Sequence, residues 1–255
     1  MKIIAIIPAR MGSSRFPGKP MAKILDKPMI EHVYERVVKC DLLTKTVVAT
    51  CDQEILDHIE SIGGEAIMTG NHHERASDRC AEALGYIEKQ DRIEYDIIVM
   101  VQGDEPMTHP DMIAEAVIPM LNDPKILVSN LLGDIETAEE FEDRNCIKVV
   151  CDQQSNAIYF SREPIPSPWK GWIELPRYMQ TGIIAFRRDT LIEFNAMKET
   201  QLEQIESVDM NRVLEAGGKI RMVLTEAITI GVDVLEELLE VEKILIGDEI
   251  VKGYL

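Results

Sequence analysis

The chain is 255 residues long, 45% hydrophobic, and carries a formal net charge of −18, enough apolar content for the core of one large α/β domain over 1–255 with a small appended lobe. So acidic a surface excludes a broad nucleic-acid-binding face, which needs clustered Lys and Arg, and no apolar stretch approaches the ~20 residues of a membrane span. The five cysteines (Cys40, Cys51, Cys80, Cys146, Cys151) are odd in number and contain no CxxC pair, a pattern that speaks against a disulfide framework or metal cluster.

Met1-Lys2 leads straight into Ile3-Ile4-Ala5-Ile6-Ile7, an apolar run that stops at Pro8; no secretory signal is read there, and a cytoplasmic protein is expected. The run is short and β-branched, which suits a parallel strand buried on both faces. Pro28 then opens a helix with apolar residues at Met29, Ile30, Val33 and Val37. Thr46-Val47-Val48-Ala49-Thr50 reads as a second buried strand, after which Asp52 is placed to cap a helix carrying Ile55, Leu56 and Ile59 that Gly63-Gly64 closes. A short strand at 65–68, a helix over about 77–89 and the strongly apolar strand Ile97-Ile98-Val99-Met100-Val101 continue the alternation of βαβ units. The first 125 residues or so thus read as a nucleotide-binding half. Beyond them, strand-like pieces at 126–131, 147–151, 157–160 and 182–186 are interrupted by a Pro/Trp-rich segment from Pro164 to Pro176, a lid or interface element. The acidic stretch from Glu236 onward reads as a solvated helix face.

The strongest chemical signal directly follows the first strand: Pro8-Ala9-Arg10-Met11-Gly12-Ser13-Ser14-Arg15-Phe16-Pro17-Gly18-Lys19-Pro20. Open α/β sheets bind ligands at the carboxyl ends of their strands. Small residues there let backbone N–H groups approach phosphate oxygens, Arg10 and Arg15 offer forked donors, and Lys19 adds a mobile point charge, so a triphosphate fits. The order of residues is not that of a P-loop. The second signal is Val101-Gln102-Gly103-Asp104-Glu105-Pro106: a carboxylate leaving a buried strand through a glycine turn is placed to hold Mg²⁺. Asp104 is the better candidate, while Glu105 shares the ion or faces solvent. Asp233, in Ile230-Gly231-Val232-Asp233, either completes a two-carboxylate site or caps a helix.

These segments, together with Lys148-Val149-Val150, Ala157-Ile158-Tyr159-Phe160-Ser161-Arg162 and Ile165-Pro166, occur in order over nearly the whole chain and closely resemble the 3-deoxy-D-manno-octulosonate (Kdo) cytidylyltransferases, the CMP-Kdo synthetase family. The resemblance implies a nucleotide-diphospho-sugar transferase fold: a Rossmann-like, mostly parallel mixed sheet flanked by helices, with a lid or dimerisation lobe. It implies a homodimer that needs CTP and Mg²⁺ and works on an acidic sugar, with neither nucleic acid nor membrane as partner. Its nucleotide contacts fall on Pro8, Ala9, Arg10, Gly12, Ser13 and Lys19, with Ser77, Arg79 and Gln102 near the base or ribose. Its catalytic set falls on Arg10, Arg15, Lys19, Asp104 and Asp233, the two aspartates holding the metal. Arg162 matches a position used at the sugar acid.

Departures gather at the sugar end. Arg75-Ala76-Ser77-Asp78-Arg79 stands where the family has Ser-Gly-Thr-x-Arg, Met179-Gln180-Thr181-Gly182-Ile183-Ile184 where it has Arg-His-x-Gly-Ile-Tyr, and Asp209-Met210-Asn211-Arg212 where it has Glu-Gln-Leu-Arg. The acceptor-facing positions are therefore Arg75, Arg162, Gln180, Asp209 and Met210. A site loses selectivity when its hydrogen-bonding partners change, so a modified Kdo such as 8-amino-Kdo, another 2-keto-3-deoxy sugar acid, or another small carboxylated or phosphonate-like acceptor fits better than plain Kdo. A nucleotidyltransferase of the same fold with another small acidic or sugar-phosphate acceptor, and a catalytically silent nucleotide-binding homologue, stand as alternatives. His72 and His73 form a polar-turn pair of the ordinarily solvent-facing kind, and Trp169 and Trp172 are expected to pack in a lid or dimer interface.

Overall fold

The opening apolar run forms β1 (Ile3–Ala9), every residue of which is buried. The structure is a computed structural model that describes residues 1–12, 15–173 and 175–255. The chain folds as two units, one of Met1–Ala114 with Ile228–Leu255 and one of Glu115–Ala227. The C-terminal segment thus belongs with the first unit.

In the first unit, β1 is followed by the short hairpin β2 (Lys23–Ile24) and β3 (Lys27–Pro28), α1 (Met29–Val37), β4 (Lys45–Thr50), α2 (Gln53–Ser61), β5 (Ala66–Met68), α3 (Ala76–Asp91) and β6 (Ile97–Val101). β6, β1, β4 and β5 lie side by side and all parallel. β1, β4 and β6 are apolar runs because both faces of a parallel sheet are covered, whereas β5, at the sheet edge, is only partly buried. Met29, Ile30, Val33 and Val37 are fully buried as their helical spacing requires, and Cys80, Ala83, Leu84 and Ile87 form the buried face of α3, which lies against β1. Gly63, at φ 80°, ends α2 in the left-handed region open to glycine. Asp52 stands at the N-cap of α2, but its side chain makes no capping bond.

After α4 (Pro110–Asn122), the second unit holds β7 (Val128–Asp134), α5 (Ala138–Glu142), β8 (Lys148–Cys151), β9 (Ala157–Ser161), β10 (Tyr178–Arg187), α6 (Arg188–Ala196), α7 (Gln201–Glu206), α8 (Met210–Glu215) and β11 (Arg221–Leu224). Here the pairing is mixed: β11 runs parallel to β7, while β7–β10, β10–β8 and β8–β9 are antiparallel. The strand expected at 182–186 is longer, because its more polar first half, from Tyr178, finds partners in both β7 and β8. The described residues between β9 and β10 form no helix or strand, and Trp169 and Leu175 are exposed.

The chain then returns to the first unit through α9 (Leu235–Leu245). This helix is more than a solvated acidic face: Leu238, Val241 and Leu245 are buried with Ile24, Met29, Met107 and Val232.

Candidate active site

β1 delivers the chain to the loop beginning at Arg10, and Gly18, at φ 75°, closes it with an N–H bond to the Met11 carbonyl (3.1 Å). A single 3₁₀ turn follows and carries Lys19 inward, leaving its side chain 10% exposed. The Lys19 Nζ donates to Asp104 Oδ2 at 2.8 Å and to Asp233 Oδ1 at 3.0 Å, and Arg15 Nη2 lies 2.8 Å from the other Asp233 oxygen. Burial opposes the charge on Lys19, but the two aspartates outweigh it and hold its pKa above the ordinary lysine value. Asp233 is therefore not a helix cap through its side chain, which faces the cations.

Contacts on both segments bring the aspartates together. The Asp104 carbonyl accepts from Val232 N (2.9 Å), tying the segment before α9 to the end of β6. The apolar cluster under α9 holds that segment in place, and Glu237 Oε2 accepts from the Asp233 and Val234 amides (2.5 and 3.0 Å). Gly103 is required at the crossing: a Cβ there would lie 2.7 Å from the Pro8 carbonyl oxygen. Gly103→Ala is expected to cost about 1–3 kcal/mol by forcing the two strand ends apart, read as a lowered Tm together with weakened nucleotide binding.

Pro8, Ala9, Arg10, Gly12, Arg15, Lys19, Arg75, Arg79, Gln102 and Asp104 all line one cavity of about 310 Å³. Nearly every expected nucleotide contact thus lies in one wall, and Arg75, read from sequence as acceptor-facing, belongs to the same wall. Ser77 is fully buried in the first turn of α3 and is not in the lining; Ser13 lies outside the described residues. Glu105 is buried rather than solvent-facing and is likewise absent from the lining. Arg79, 3% exposed, donates through Nη1 to Thr69 Oγ1 (2.5 Å) and the Gly70 carbonyl (3.2 Å), while its buried Nη2 has no acceptor among the described residues. A buried charged donor left without an acceptor is costly, so this wall suits a ligand that brings an oxygen or ring nitrogen.

His73 was missed by the sequence reading as a wall residue. Its ring is not solvent-facing but pairs with Glu82 (2.5 Å), and its carbonyl accepts from Arg10 Nη1 (3.2 Å). Glu82, nine residues on, was the available clue. His72 is exposed.

The remaining residues expected to face the acceptor lie in the second unit. Arg162 is clamped: its amide donates to Glu206 Oε2, its Nε to the Glu206 carbonyl and its Nη1 to the Arg144 carbonyl, each at 2.8 Å, and its own carbonyl accepts from Lys148 Nζ (2.7 Å). Burial would raise the Glu206 pKa, but bonds from the Arg162 amide, Tyr159 and Ser161 hold it below the ordinary carboxylate value. Gln180 Nε2 donates to Asn130 Oδ1 (2.7 Å). Asp209 is the N-cap residue of α8. Met210 is corrected: at 0% exposure it is core, because the first turn of α8 points inward, and it has no surface to offer an acceptor.

Asp104 and Asp233 bring hard carboxylate oxygens from distant parts of the chain to one cation, the Lys19 ammonium, and that donor set suits Mg²⁺, which takes few protein ligands and completes its shell with water and phosphate. Among the described residues no group of three or more His, Cys, Asp or Glu side chains is arranged to hold an ion.

The profile of the family described as Cytidylyltransferase matches residues 4–221. The 3-deoxy-manno-octulosonate cytidylyltransferase of Syntrophus aciditrophicus (strain SB) is 43% identical over 96% of this chain and 98% of its own. Among solved structures, a CMP:2-keto-3-deoxy-manno-octonic acid synthetase complexed with CTP superposes with a TM-score of 0.87 at 37% identity, covering 96% of this chain and 99% of that one. A putative glucose-1-phosphate thymidylyltransferase from Bacillus anthracis, in complex with a sucrose, shares the fold alone (TM-score 0.66, 16% identity, 95% and 94% covered). With nearly full-length similarity to named relatives and the loop, strand-end and Asp233 residues in one place, the chain belongs to the CMP-Kdo synthetase family of cytidylyltransferases.

Proposed function

We propose that this enzyme transfers CMP from CTP to the anomeric hydroxyl of a 2-keto-3-deoxy sugar acid, Kdo or a Kdo-like acid such as 8-amino-Kdo, and releases pyrophosphate with Mg²⁺ held by Asp104 and Asp233. The observation that carries this reading is the meeting of Lys19, Arg15, Asp104 and Asp233 beside one cation-lined cavity. The acceptor oxygen forms a bond to the α-phosphorus of CTP in line with the departing bridging oxygen, and the hydroxyl proton passes to solvent. Little covalent help is needed from protein, so positioning and charge neutralisation supply most of the acceleration. Arg10, Arg15 and Lys19 neutralise the leaving pyrophosphate. Arg79 Nη2 and Gln102 supply polar groups to the base, and Arg162, Gln180 and Asp209 are assigned to the sugar acid. Bound Mg²⁺ would lower the pKa of the attacking hydroxyl and screen phosphate charge.

The same reading extends to a cytoplasmic homodimer. No helix of the described residues is long and apolar enough to cross a membrane, and the exposed Trp169 and Leu175 line one hollow with Pro166, Ile173 and Pro176, an apolar surface of the kind a subunit interface covers. The test is pyrophosphate release across the four NTPs, with and without Mg²⁺, against Kdo, 8-amino-Kdo and a nonulosonic acid. Release is expected only from CTP, only with Mg²⁺, and with Kdo or 8-amino-Kdo. Release from a different NTP with a sugar phosphate, and none from CTP with any of these acids, would replace this reading with its nearest rival.

A further inference from the structure

Asp52 occupies the N-cap position of α2 with the extended backbone of a capping residue, φ −116° and ψ 121°. An aspartate there ordinarily turns its carboxylate back onto the first helical amides. This one does not. Its Oδ2 instead accepts from the Met11 amide at 2.8 Å, with the Cys51 thiol 3.5 Å away on the same oxygen. The Asp52 backbone is fixed independently, its N–H on Thr50 Oγ1 (3.1 Å) and its carbonyl on the Leu56 amide (3.2 Å). The side chain is thus free of any capping duty.

The consequence falls on the loop. The Met11 amide is held from the end of β4 by Asp52, and the Met11 carbonyl is held from the far end of the loop by the Gly18 amide. Both backbone groups of one residue are pinned, immediately between Arg10 and Gly12, which line the cavity. A carboxylate beside a polyphosphate site is electrostatically unfavourable, and forgoing a cap destabilises the helix start. Residues that break a local preference in this way concentrate where function requires it. A loop that presents donors to phosphate works best when its backbone is already ordered before the ligand arrives.

We infer that Asp52 is a positioning residue for the phosphate-binding loop: it orders the Met11 backbone, and through it the presentation of Arg10 and Gly12, without touching the nucleotide. This rests on the reading of the cavity as the CTP site. The experiment compares Asp52→Ser with Asp52→Asn by equilibrium CTP binding, steady-state kinetics and thermal unfolding. Serine caps α2 well but does not reach Met11, whereas asparagine keeps an acceptor oxygen at the same distance along the side chain.

Asp52→Ser is expected to raise Kd and KM for CTP about tenfold, the effect of one charge-assisted hydrogen bond, with kcat and the acceptor KM changed far less and Tm equal to or above wild type. Asp52→Asn is expected to restore most of the CTP affinity. Wild-type CTP affinity in Asp52→Ser overturns the inference, as does a loss of affinity in both variants that follows a fall in Tm, since that pattern marks a merely structural residue. Failure of the unmutated protein to bind CTP would remove the functional reading itself, and this inference with it.

Discussion

Asp104→Asn is expected to lower kcat for pyrophosphate release by about a thousandfold or more, the scale on which charge stabilisation in a preorganised site operates, with Tm close to wild type. The change removes one of two carboxylates in the proposed ion site and swaps a charged acceptor for a neutral amide. The fold should tolerate it for a reason visible in the geometry. Lys19 has a second carboxylate at 3.0 Å in Asp233, so its ammonium is not stranded, and the Asp104 side chain is 35% exposed and solvated. The Asp104 backbone carbonyl, which ties down Val232, is untouched. Turnover within a few-fold of wild type would remove Asp104 from the ion site, and a collapse of Tm would make the residue structural.

The largest effect on stability is expected from Glu203→Ala. Glu203 at 0% exposure and Arg212 at 4% form a two-pronged pair, Nε to Oε2 at 2.7 Å and Nη2 to Oε1 at 2.5 Å. The guanidinium also donates to the Phe194 carbonyl at 3.0 Å and stacks on that ring. Truncating the glutamate leaves a buried guanidinium without its carboxylate, which costs about 3–5 kcal/mol. For a chain of this size that corresponds to a Tm lower by roughly 6–20 °C. Thermal unfolding reads this directly, and a loss under about 1 kcal/mol would mean that water reaches the guanidinium in the variant and replaces the carboxylate. Arg212→Lys should also be destabilising, since an ammonium cannot reproduce the fork.

How much of this was legible beforehand follows from how local each feature is. β1, β4 and β6 were readable because strands buried on both faces need unbroken apolar runs, and the cations of the opening loop stood out in so acidic a chain. The pairing of Lys19 with Asp233 spans 214 residues. Only the family resemblance joined them; periodicity left Asp233 divided between ligand and helix cap. Local rules failed where tertiary partners intervened. Asp52 was read as a cap and turned to Met11 instead, and His73 was read as exposed but met Glu82. Met210, aligned with a sugar-facing position, rotated into the core with the first turn of α8. The helices α5, α7 and α8 and strand β11 escaped because elements of four to six residues carry too few periods to be told from loop; α4 and α6, which are longer, were not read either.

The return of the chain to its first unit sets a condition on biosynthesis. On the ribosome, the opening strands and the basic loop emerge early, and the whole of Glu115–Ala227 follows before Asp233 and its apolar anchor on α9 are made. Until then Lys19 has one aspartate in reach rather than two, and Ile24 and Met29 lack the helix that covers them. A nascent chain halted short of residue 228 would therefore leave that apolar seat uncovered and lack the second carboxylate beside Lys19.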